Sequence, residues 1–63
     1  MKELFIYLDT RQTWHLQVKD SDYKEFVEAL EKRKNIYIFI LDDGDVVISL
    51  DKVVSIKAED FEE

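Results

Sequence analysis

The sequence predicts an α+β domain: a small antiparallel sheet of about five strands with one helix laid across one face. Three observations predict it. Apolar residues alternate near the N-terminus, they recur at helical spacing in the middle, and in the last third two apolar runs meet at the chain's only glycine. Strands before and after a single helix, joined by short links, favour antiparallel pairing with the helix on one side.

Residues 3–8 open the chain as a strand. Leu4, Ile6 and Leu8 alternate with Phe5 and Tyr7, so neither side is strongly polar and the strand reads as central or covered on both faces. Asp9 to Gln12 make a glycine-free hairpin loop. Trp14, Leu16 and Val18 then alternate with Thr13, His15, Gln17 and Lys19, giving a second strand with one wet face. From Asp20 to Lys34 there is no proline, and Tyr23, Phe26, Val27 and Leu30 stand at i, i+3, i+4 and i+7, the apolar stripe of a surface helix. Ser21 or Asp22 is placed to cap it, since Glu25 follows Asp22 by three residues. Lys32, Arg33 and Lys34 complement the dipole at its far end, and Asn35 suits the left-handed stop.

The runs Ile36 to Leu41 and Val46 to Leu50 read as a hairpin through Asp42-Asp43-Gly44-Asp45. With Asp43 and Gly44 as the turn, Leu41 faces Val46, Phe39 faces Ile48 and Tyr37 faces Leu50. On the other side Ile40 faces Val47 and Ile38 faces Ser49, and Asp42 meets Asp45 in a like-charge pair. Both faces of this ribbon are apolar. Val53, Val54, Ile56 and Ala58 continue as a last strand, so residues 1–58 form one domain and 59–63 an acidic tail. The order is strand, strand, helix, strand, strand, strand.

A chain of 63 residues buries only about 60% of its unfolded surface and needs a supplement to its core. With no cysteine, disulfides and thiolate metal sites are excluded, and association is the supplement left. The single helix can cover one face of the sheet. A second copy or a partner is therefore expected on the other, with Ile36, Ile38, Ile40, Val47, Val54 and Ile56 as the contact residues of a homodimer.

The net charge of −6 is unevenly placed: residues 1–41 hold seven acidic and seven basic side chains, whereas residues 42–63 hold eight acidic side chains and only Lys52 and Lys57. Such an end argues against direct nucleic-acid or anionic-lipid binding and suits a basic or hydrophobic protein partner. No stretch approaches the length of a membrane helix, and the N-terminal apolar run meets Asp9 without a cleavage site, so a soluble cytoplasmic protein is expected.

Few residues carry chemistry. Asp42, Asp43 and Asp45 offer oxygens to a cation, but a calcium loop spreads its ligands over 12 residues and ends in a bidentate Glu, where Val46 and Val47 stand here. Their reading is turn chemistry or contact with a basic partner, and no metal is expected. His15, the only histidine, sits in the polar register of its strand with no nucleophile placed by motif, and one glycine builds no phosphate loop. No catalytic residue and no cofactor are expected. Phe5, Phe26 and Phe39 are assigned to the core, while Trp14, Tyr37 and Phe61 are candidate partner contacts.

The hairpin Asp-Asp-Gly-Asp-Val-Val-Ile-Ser-Leu, the following Asp-Lys-Val-Val-Ser-Ile and the helix Asp-Tyr-Lys-Glu-Phe-Val-Glu-Ala-Leu together resemble the small acidic proteins encoded by phages and prophages of Gram-positive bacteria. Many such proteins block a host or defence protein, and the short dimeric inhibitors of systems such as Hachiman are similar in size and character. The resemblance implies a non-enzymatic homodimeric inhibitor in the host cytoplasm. Two other classes stay open: a sponge holding a nucleotide-like signal between subunits with Lys32, Arg33 and Lys34, and a DNA mimic built from Asp42, Asp43, Asp45, Asp51 and the tail.

Overall fold

The computed structural model describes residues 1–60, so Phe61 lies outside the described residues. The order of elements is β1 (Lys2–Leu8), β2 (Thr13–Val18), α1 (Asp20–Glu31), β3 (Ile36–Leu41), β4 (Gly44–Ser49), a 3-10 turn (Leu50–Lys52) and β5 (Val53–Asp60). The fold is α+β with every strand pair antiparallel. The expected five-stranded sheet is divided in two: three strands in the order β2-β1-β5, and β3-β4 as a separate hairpin. Helix α1 links the two sheets in sequence and touches both, packing on β1 and on β3.

β1 is the central strand of its sheet, as its two-sided apolar pattern demands. Leu4 lies between Leu16 and Ala58, and Ile6 between Trp14 and Ile56. Leu8 pairs with Val53 and Tyr7 with Ser55, which leaves Val54 as the extra residue of a bulge. β5 runs two residues further than the sequence reading allowed, because Glu59 and Asp60 pair with Glu3 and Lys2 and the Lys2 ammonium bonds the Asp60 carboxylate.

The core lies between the two sheets and the helix. Leu4, Ile6, Leu16 and Val18 come from one sheet, Phe26 and Ala29 from α1, and Phe39, Ile48 and Leu50 from the hairpin and the turn after it. Its aromatic centre is Phe26 against Phe39 (5.2 Å between ring centroids) and edge-on to Tyr37 (5.5 Å), a favourable arrangement of ring quadrupoles. The helix buries Phe26 and Ala29, with Tyr23 and Leu30 packed beside them; Val27 falls on the margin of the stripe.

Both helix ends differ from expectation. The Lys19 carbonyl accepts from the Tyr23 N–H at 3.0 Å, so Lys19 is the N-cap, two residues before Ser21 and three before Asp22, and no side chain caps the helix; Asp20 and Asp22 instead sit in the first turn, where carboxylates favour the dipole. At the other end Arg33, with φ 56°, takes the left-handed position assigned to Asn35. The Lys34 N–H reaches the Ala29 carbonyl and the Arg33 N–H the Leu30 carbonyl, the paired bonds of a Schellman ending. Lys32 is therefore the C-cap and the basic residues leave the helix rather than finish it.

The hairpin turn also moves. Leu41 pairs with Gly44, Phe39 with Val46, Tyr37 with Ile48, Ile38 with Val47 and Ile36 with Ser49, so Asp42 and Asp43 form the turn. Neither aspartate has a positive φ; Gly44, at φ +140°, takes the conformation that side chains resist. Asp45 consequently stands opposite Ile40, not Asp42. Each partner is displaced by two residues, and a shift of two preserves which side chains share a face.

Candidate protein-interaction surface

One face of the hairpin is buried and the other is not. Phe39 and Ile48 are buried with Tyr37, Leu41 and Val46 packed against the core. Alternation then forces Ile36, Ile38, Ile40 and Val47 outward. They are 52%, 48%, 78% and 56% exposed, a contiguous set spread over facing positions of two paired strands. Only Asp45, opposite Ile40, and Ser49, opposite Ile36, break the apolar surface, at the two ends of the β4 side. Among the described residues β3 and β4 hydrogen-bond to each other and to no further strand.

The surface has charged ends of opposite sign. Lys32, Arg33 and Lys34 precede β3, all exposed, and Lys32 and Lys34 share a groove with Ile36 and Ile38. Asp42 and Asp43 follow β3 and line a cleft with Ile40 and the end of β2. Lys32 is engaged by Glu28 at 2.6 Å, which lowers the Glu28 pKa and raises that of Lys32. Arg33 and Lys34 have no ion pair among the described residues, nor do Asp42, Asp43 and Asp45.

The other predicted residues are dispersed. Val54 is exposed but belongs to the bulge of the three-stranded sheet, and Ile56 opposes Ile6 and packs on the core, so neither joins the hairpin face. Trp14 shares the core-facing register of β2 yet remains 39% exposed. Tyr37 lies on the inner side, its hydroxyl near Glu25 Oε2 (3.3 Å) and the Asp22 carbonyl (3.4 Å). Burial, followed by the Glu25 carboxylate, pushes its pKa up to about 12. The groove of Lys32, Lys34 and Tyr37 also contains Glu25 and Glu28, which offset the cations an anionic nucleotide would need. Asp51 sits in the 3-10 turn at the opposite end of β4 from Asp42, Asp43 and Asp45, so these acids do not form one row.

Phe5 corrects the sequence reading. It faces outward with Glu3 and Tyr7 on the far side of β1, stacked on His15 (4.4 Å between centroids, 11° between planes) with Lys57 over the ring at 6.0 Å. His15 Nε2 also approaches Glu3 Oε1 at 3.2 Å. Strand alternation held the signal: Leu4 and Ile6 inside require Phe5 outside. No cluster of three or more metal-ligating side chains occurs among the described residues, and no helix there is long and apolar enough to cross a membrane. No protein-family model, curated protein or solved structure matches this chain.

Proposed function

We propose that this chain is a non-enzymatic protein-binding module that works as a homodimer, closed over the outer face of the β3–β4 hairpin, and acts as a phage-type inhibitor of a bacterial host or defence protein in the cytoplasm. The observation that supports it is the row Ile36, Ile38 and Ile40 beside Val47, standing in water in a domain too small to leave such surface idle. Fully burying an isoleucine or valine is worth roughly 1.5–3 kcal/mol, so covering four half-exposed ones contributes on the order of 3–6 kcal/mol per copy. That is enough to matter against the cost of association. Dimer formation leaves the polar outer face of the three-stranded sheet, with Tyr7, His15 and Lys57, available to a target.

Light scattering coupled to size exclusion tests the association. Wild type should rise to twice its 7.6 kDa mass as concentration increases from low micromolar to millimolar, and Ile38→Asp should run as a folded monomer throughout. A wild-type monomer at every concentration sinks the proposal.

A further inference from the structure

We propose that two copies pack with their hairpins antiparallel, outer face on outer face, so that Arg33 and Lys34 of each copy lie against Asp42, Asp43 and Asp45 of the other. The inference rests on the dimeric reading above and adds its geometry. The outer face is apolar in its middle and charged at its ends, with basic residues before β3 and acidic residues after it. From Lys34 to Asp42 is eight residues of nearly extended chain, about 26 Å at 3.3 Å per residue. The Debye length near 0.15 M salt is about 8 Å, so the two ends scarcely attract within one copy.

Only a neighbour turned end for end brings them together. A two-fold axis perpendicular to the strands passes near Ile38 and Val47, which oppose each other at the centre of the ladder. It sets Ile36 of each copy near Ile40 of the other and lowers Asp45 over the end that carries Ser49 and Lys34. A two-fold axis along the strands would instead put Arg33 and Lys34 against their own copies and the three aspartates against three more. Like charges so juxtaposed are costly, and this cost selects the antiparallel dimer. Of the two glutamates in the groove at the basic end, Glu28 is paired with Lys32 and Glu25 accepts from the Tyr37 hydroxyl, which leaves Arg33 and Lys34 as the cations without an ion pair among the described residues.

The absence of cysteine makes the orientation directly readable. Asn35→Cys and Asp43→Cys mark the two ends of β3, and both positions are exposed. Treated with a short bis-maleimide, each variant alone should stay unlinked, and an equimolar mixture should give a linked heterodimer as the main product. Wild type needs no substitution for a second reading. Isotope-filtered nuclear Overhauser spectra of mixed labelled and unlabelled protein should show Ile36 of one copy against Ile40 of the other.

Self-linked Asn35→Cys and self-linked Asp43→Cys would overturn the antiparallel orientation while leaving the dimer intact. A wild-type dimer without either linked product or the Ile36 to Ile40 contact would likewise overturn this geometry alone. A wild-type monomer would remove both this inference and the reading beneath it.

Discussion

The three-stranded sheet and the β3–β4 hairpin share one construction, an inner face on a common core, and differ in what they turn outward. β1, β2 and β5 present Glu3, Phe5, Tyr7, His15, Gln17, Lys57 and Glu59, with Phe5 stacked on His15 beneath Lys57 and Val54 exposed singly at the bulge. β3 and β4 present Ile36, Ile38, Ile40 and Val47, which no described residue covers. Side-chain alternation alone does not distinguish a solvent face from a contact face; the chemistry of the outward residues does. The same molecule therefore carries one sheet with a largely polar outer face and one with an apolar outer face.

Adjacent residues on β4 give the sharpest way to break this comparison. Ile48, 1% exposed, meets Phe39 and the core, whereas Val47 points the other way. Ile48→Ala should cost about 2–5 kcal/mol in urea denaturation, a large part of the total for so small a domain. Val47→Ala should leave the fold of the subunit nearly unchanged and act on the dimer dissociation constant. Equal losses of fold stability from both would mean that the outer face is structural and not a contact surface.

Tyr37 offers a smaller effect that sharpens the account of the inner face. Its folded pKa of about 12 lies above the ordinary value of 10.0, so its protonated form is favoured by folding. The associated stability is present below pH 10 and is lost as pH rises toward 12. Tyr37→Phe should flatten that part of the stability profile relative to wild type. An unchanged slope would place the phenol in water and away from Glu25.

Much of this was legible in the sequence because period and composition are local. The two-sided pattern of residues 3–8 marked a central strand, and the hairpin faces were correct even though the turn was placed one residue late. The turn position depended on which residue takes the positive φ, and a glycine in the third place of Asp42-Asp43-Gly44 serves a different turn from the one assumed. Division of the sheet was not legible, because whether β3 pairs with an earlier strand depends on packing over long sequence separation. The left-handed Arg33 was hidden for a related reason: the backbone bonds of the Schellman ending hold a residue there against its own preference. Of the candidate contacts, Ile36, Ile38, Ile40 and Val47 came together on one face, while Val54 and Ile56 took the alternation of a different sheet.

The central claim is that the two outward faces have different uses, and methyl and aromatic NMR spectra recorded from low micromolar to millimolar concentration test it most directly. The account predicts concentration-dependent shifts at Ile36, Ile38, Ile40 and Val47, with Tyr7, His15 and Phe5 unmoved. Shifts centred on Tyr7, His15 and Phe5, or none at the hairpin in a chain that is monomeric throughout, would contradict it.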